Sequence, residues 1–159
     1  MNKTDVSETV MLAGKNIECR QDFMGSGDGV CYALRFKGTE YQSAWKYEYM
    51  KDEDSNCQIL SITTRILPDG FTIADIAKKD FWIRNNIGDL VRIFPASGYN
   101  NSGTGPNPTG GQGLSGWFWS STRNSPTDTY GVHFDKSFAG KYKGSSTRGH
   151  TVRLFKDRL

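Results

Sequence analysis

Gly116-Trp117-Phe118-Trp119-Ser120-Ser121-Thr122 is the stretch on which the fold reading turns. It is aromatic and strand-like. After it, Gly131-Val132-His133-Phe134-Asp135 alternates, with Val132 and Phe134 expected inward, and Thr151-Val152-Arg153-Leu154-Phe155 closes the chain. Upstream, Cys31-Tyr32-Ala33-Leu34-Arg35-Phe36 alternates too. So does Ala44-Trp45-Lys46-Tyr47-Glu48-Tyr49, which puts Trp45, Tyr47 and Tyr49 on one face. Ile59-Leu60-Ser61-Ile62-Thr63 adds a β-branched run. One helix is signalled, over 73–86. Thr72 and Asp75 form a variant capping box ahead of Ile73, Ile76 and Ala77, the pattern runs on to Phe81-Trp82-Ile83, and Asn85-Asn86-Ile87-Gly88 is a natural stop. Strand and helix do not alternate along the chain, so a doubly wound fold is excluded. The expected class is α+β: short antiparallel strands, one or two helices and long irregular loops.

Composition bounds the rest. The chain has 159 residues with a mean hydropathy of −0.59, one domain's worth, expected over 1–159. Nine Phe, seven Tyr and four Trp exclude a disordered chain, which would have nowhere to bury them. Eighteen glycines point to turns and loops more than to long helices. No window approaches the roughly 18 to 20 apolar residues of a membrane span, so direct membrane insertion is not expected. No signal peptide is visible, which fits an intracellular or phage-borne chain, or one whose leader has been removed. Cys19, Cys31 and Cys57 lack zinc-knuckle or redox spacing and are expected as three buried thiols, with one bridge and one free thiol as the alternative.

Charge divides the chain. Residues 1–113 carry 12 Lys+Arg against 14 Asp+Glu, whereas 114–159 carry 8 against 3. Residues 93–122 carry no charge at all, and 97–113 read as a long polar loop. The formal net charge of +3 is too small for a dedicated nucleic-acid binder. Lys136, Lys141, Lys143, Arg148, Arg153, Lys156 and Arg158 form either a patch for anionic glycans or acidic protein, or ordinary solvated charge.

The segments Arg92-Ile93-Phe94-Pro95-Ala96-Ser97-Gly98-Tyr99, the Trp-Ser-Ser-Thr element and Gly149-His150-Thr151-Val152-Arg153 together resemble a known pattern. It is that of the C-type lectin-like domain of the Fibrobacter major paralogous family, shared by variable proteins of diversity-generating retroelements. Arg35-Phe36-Lys37-Gly38 and Ser43-Ala44-Trp45-Lys46-Tyr47-Glu48 are similar to segments of such proteins from gut Bacteroides. The resemblance implies a C-type lectin-like fold and a module that binds without catalysing. It would be displayed on a bacterial surface or fimbrial tip, or on a phage tail fibre. The partner would be a protein or glycan on a host or neighbouring cell. A structural subunit of a fimbrial or other surface assembly is the alternative. Adenine-directed diversification would suit Asn124, Thr127, Asp128, Tyr130, His133, Asp135, Ser137, Tyr142 and His150, but not Lys136, Lys141 or Lys143.

The candidate ligand-binding residues lie in the loop-rich half, 92–159, and the first half is 1–91. They are Trp119, Arg123, Asn124, Thr127, Asp128, Tyr130, His133, Asp135, Lys141, Tyr142, Lys143, Arg148 and His150. Tyrosine gives contact area at low entropy cost, and polar loops on a rigid frame adapt to partners. No cofactor or metal is expected: His133 and His150 lack companions at ligand spacing, and Asp52-Glu53-Asp54 lacks the oxygen spacing of a calcium loop. Nor is catalysis. Ser120 and Ser121 sit in no nucleophile elbow, and the glycine run 103–113 lacks a phosphate-loop ending.

Overall fold

The structure, a computed structural model, describes residues 2–84, 87–101 and 109–152. Strands β1 (Lys3–Leu12) and β2 (Lys15–Gly25) form a hairpin closed by Ala13 and Gly14. Both turn residues have positive φ, 49° and 75°, as a two-residue turn matched to strand twist requires. β3 (Val30–Lys37), β4 (Ser43–Lys51), β5 (Gln58–Ile66) and β6 (Leu90–Pro95) complete a six-stranded sheet in chain order. Between β5 and β6 lie two short helices, α1 (Ile73–Ile76) and α2 (Lys79–Ile83).

The chain divides into two compact units. The first comprises Met1–Glu48 and Ser61–Ile93. Leu34, Ala44, Leu67, Ile73, Ile76 and Trp82 form its core, with Met24, Tyr32, Phe71 and Phe81 packed against them. Full burial of one such side chain stabilises by roughly 1.5–3 kcal/mol. The Trp82 indole N–H donates to the Ile76 carbonyl at 2.7 Å, tying α2 to α1. Arg65 grips Asp89 with two donors, at 2.6 and 2.8 Å, and donates to the Phe81 carbonyl at 2.7 Å.

The second unit comprises Tyr49–Leu60 and Phe94–Leu159. In it β7 (Tyr99–Asn100) pairs with β8 (Thr109–Gly110), while β9 (Gly116–Arg123), β10 (Asp128–Phe134) and β11 (Ala139–Ser145) form a sheet in the order β11-β10-β9. Phe134 is fully buried, stacked on Phe118 and edge-on to Tyr49. Gly116 makes room for it: a Cβ there would sit 2.0 Å from the Phe134 ring.

The architecture corrects the α+β, C-type lectin-like expectation. Antiparallel β structure dominates, with 57% strand and 6% helix among the described residues. The expected helix over 73–86 is two turns of four and five residues. Its capping box does form, with Thr72 and Asp75 bonded reciprocally. But Lys78 is extended (ψ 131°), and the chain folds back so that Trp82 reaches Ile76. Core packing of Trp82 overrides helical propensity there. Asn85 and Asn86, read as part of the helix stop, lie outside the described residues. The loop 97–113 contains the β7–β8 pair, with 102–108 outside the described residues. Val132, expected inward, is 48% exposed, while Phe134 beside it fills the core. Thr151 makes an isolated parallel bridge to Phe118 and Val152 is exposed. The rest of that expected strand, 153–155, lies outside the described residues, as do Lys156 and Arg158. All three cysteines are free thiols, but only Cys19 is buried; Cys31 and Cys57 are half-buried. No helix among the described residues is long and apolar enough to cross a membrane.

Candidate binding face of the C-terminal sheet

Register sorts the side chains. Trp117 pairs with His133, Trp119 with Gly131, and Gly131 with Tyr142. Paired positions share a sheet face, so Trp117, Trp119, His133 and Tyr142 lie together on the face opposite Phe118 and Phe134. Gly131 is required by this arrangement. A Cβ there would fall 2.5 Å from the Tyr142 ring and 2.6 Å from the Phe118 carbonyl oxygen. The phenol ring lies across the space that the missing side chain leaves.

His150 joins the face from the next segment. Thr151 donates its N–H to the Trp117 carbonyl at 2.9 Å and accepts from the Trp119 N–H at 3.0 Å. That fixes His150 with its ring stacked on Trp119 at 4.1 Å. Its Nδ1 is hydrogen-bonded to the Tyr142 hydroxyl, and its Nε2 is buried without a partner among the described residues. Burial, reinforced by the charges of Arg148 and His133, brings the His150 pKa down to about 4, so the ring is neutral at neutral pH. Burial also pushes the Tyr142 hydroxyl up to about 12. His133 stacks on Trp117 at 3.8 Å, with Phe138 at 5.7 Å and Asp135 at 3.5 Å. Burial lowers its pKa, and Asp135 opposes that. Tyr99 meets Trp117 edge-on at 5.2 Å. The result is a half-buried tract of rings laid over a twisted sheet.

An open pocket of about 280 Å³ adjoins this tract, lined by Trp119, Ser120, Ser121, Arg123, Thr129 and Ser146. The four tryptophans differ in one respect. Trp45, Trp82 and Trp117 donate their indole N–H to Ser43 Oγ, the Ile76 carbonyl and Ser115 Oγ. The Trp119 N–H has no acceptor among the described residues, and Trp119 is one of the residues that line the pocket. Arg123 makes no ion pair among the described residues, and the hydroxyls of Ser121 and Thr129 bond to none of them. Ser120 and Ser146 are engaged locally: Ser120 Oγ accepts from the Thr122 N–H at 3.0 Å, and Ser146 Oγ donates to the Thr127 carbonyl at 2.9 Å. No group of three or more His, Cys, Asp or Glu is placed so that it could hold a metal ion among the described residues.

The predicted residues thus fall into six places. Trp119 and Arg123 line the pocket, while His133, Tyr142 and His150 make the aromatic tract beside it. Asn124, Thr127 and Asp128 build the β9–β10 turn, where the Asn124 N–H donates to the Asp128 carbonyl at 2.9 Å. Tyr130, Lys141 and Lys143 occupy the opposite face, with the Lys141 ammonium 4.7 Å from the Tyr130 ring centre. Asp135 caps the β10–β11 turn through Ser137 and Phe138 and faces His133, and Arg148 lies in the turn before His150. Trp117, Tyr99, Thr129 and Ser146 were not among the expected contacts. Only the cross-strand register brings them in.

The family model described as a domain of unknown function (DUF8237) matches residues 1–155, so the chain belongs to that family. No curated protein and no solved structure matches it.

Proposed function

We propose that this member of the family is a non-catalytic recognition module, and that its ligand is a protein or glycan group seated against Trp119 and Arg123. The supporting observation is a pocket lined both by Trp119, whose indole N–H has no acceptor among the described residues, and by Arg123, which has no ion pair among them. The Trp119 ring, set in β9 and stacked on His150, is preorganised and loses little entropy on binding. Sheet positions hold side chains more closely than loops do, which favours Trp119 and Arg123 over the turn residues as the centre of recognition.

The test is a glycan and protein array with the purified chain, run with calcium and then with chelator, followed by Trp119→Ala on any hit. Binding that survives chelator and falls at least tenfold in the variant supports the reading. Binding indifferent to Trp119 overturns this site. Silence on both arrays, with light scattering showing an oligomer, favours a structural subunit instead.

A further inference from the structure

We infer that the pocket beside Trp119 takes an acidic sugar residue, its carboxylate on Arg123 and its ring oxygens on the indole N–H and the surrounding hydroxyls. This rests on the recognition reading above and specifies its ligand class.

Three properties of the walls carry the argument. The first is charge. A guanidinium is a planar fork of N–H donors matched to a planar carboxylate, and Arg123 meets no such partner among the described residues. A carboxylate exchanges water on this exposed guanidinium for a two-pronged partner, which a neutral ligand does not supply. The second is the density of hydroxyls. Ser120, Ser121, Thr129 and Ser146 each offer an oxygen able to donate and accept, and those of Ser121 and Thr129 bond to nothing else described. Vicinal ring hydroxyls have the same dual character. An Asp or Glu side chain would satisfy Arg123 but meet the hydroxyls only as an acceptor, and a bare phosphate would accept from Arg123 and the indole while offering almost no donor in return. The third is size. About 280 Å³ admits one pyranose ring with its carboxylate, short of the roughly 300–1,000 Å³ of larger ligand clefts. The surrounding charge agrees. Residues 114–159 carry 8 Lys+Arg against 3 Asp+Glu, a balance that draws anions toward this half of the chain.

Titration of the ¹⁵N-labelled chain, read at the Trp119 indole resonance, tests this. The probes are methyl glycosides of glucuronic, galacturonic and N-acetylneuraminic acid, the methyl glycosides of glucose and galactose, and a tetraglutamate peptide. At least one acidic glycoside is expected to bind about tenfold or more tightly than its neutral counterpart. Arg123→Gln should erase that preference and Arg123→Lys should restore it only in part. Trp119→Phe, which keeps a ring but loses the donor, should weaken binding several-fold. Spectra of the free variants, unchanged outside the pocket, establish that they fold. Equal binding of neutral and acidic glycosides overturns the acidic class while leaving a recognition site at Trp119. Tightest binding by tetraglutamate overturns the sugar in favour of an acidic peptide. If no glycoside moves the Trp119 resonance but an array ligand does, this inference alone falls. If nothing moves it, both readings fall.

Discussion

The two compact units stabilise themselves with different chemistry. In the first, Arg35 pairs with Glu8, Lys37 with Asp5 and Asp22, Lys46 with Glu48, and Arg65 with Asp89; exposed pairs add Lys78–Asp75 and Arg84–Asp80. In the second, the one ion pair among the described residues is His133–Asp135, and its His pKa is lowered by burial. Rings take the place of charges there. Trp117, Trp119, His133, Tyr142 and His150 stack or meet edge-on, and none of Arg123, Lys136, Lys141, Lys143 and Arg148 enters an ion pair among the described residues. A unit held by aromatic packing leaves its cations available for something outside itself. That is the lesson of the contrast, and it can be broken at several points.

The largest effect is expected in the first unit's core. Trp82→Ala removes a buried ring and the Ile76 hydrogen bond, at a cost of about 3–5 kcal/mol in urea unfolding. Amide exchange should rise through Met1–Glu48 and Ser61–Ile93 first; simultaneous loss of protection in both units would break the comparison. Asp89→Ala comes next. It leaves the Arg65 guanidinium largely buried beside Phe81 and Trp82 without its carboxylate, at about 3 kcal/mol.

In the second unit Gly131→Ala is the sharper probe. Its Cβ meets both a ring and a carbonyl oxygen, and the carbonyl is part of the sheet and cannot swing aside. A loss of about 1–3 kcal/mol is expected, with a change in near-ultraviolet circular dichroism as the Tyr142 ring is displaced. Unchanged stability would mean that the tract of rings is looser than described.

The pH dependence follows from His150. Its folded pKa of about 4 lies below the ordinary 6.5, so the unfolded chain takes up this proton at higher pH than the folded one. The stability this group contributes is whole above pH 6.5, falls as pH drops from 6.5 toward 4, and is level below that. Urea midpoints between pH 7.5 and 4 should therefore fall more steeply in the wild type than in His150→Gln. Parallel slopes would contradict a buried, neutral imidazole. The smallest effect is expected at Arg123→Gln, within about 0.5 kcal/mol of wild type, because the exposed Arg123 side chain makes no ion pair or hydrogen bond among the described residues.

How much of this could be read from the residues varies by element. The stretches 31–36, 44–49 and 131–135 alternate and 59–63 is a β-branched run; the first three in chain order lie within β3, β4 and β5, and 131–134 lies within β10, which ends one residue before Asp135. The Thr72–Asp75 capping box was legible because it is local, three residues apart. The length of its helix was not, since Trp82 closing on Ile76 is a tertiary event. The β1–β2 hairpin left a weak signal, Ala13-Gly14 between two mixed polar runs. Only the glycine there has the composition of a two-residue turn. At the site, Trp119, Arg123, Tyr142 and His150 were recognisable by type. Their division from Tyr130, Lys141 and Lys143 was not, because it depends on the β10–β11 register, which puts Tyr130 opposite Lys143 and Gly131 opposite Tyr142. The pocket's Thr129 and Ser146 are ordinary residues until the strands bring them to Trp119.

The most direct measurement is the ¹⁵N–¹H spectrum of the four indoles while methyl glucuronoside, galacturonoside and N-acetylneuraminoside are added in turn. The account predicts that the Trp119 resonance exchanges fastest with solvent in the free chain and shifts most with a bound acidic glycoside, while those of Trp45 and Trp82 stay in place. A Trp119 resonance as protected as the other three, and unmoved by every glycoside, would contradict it.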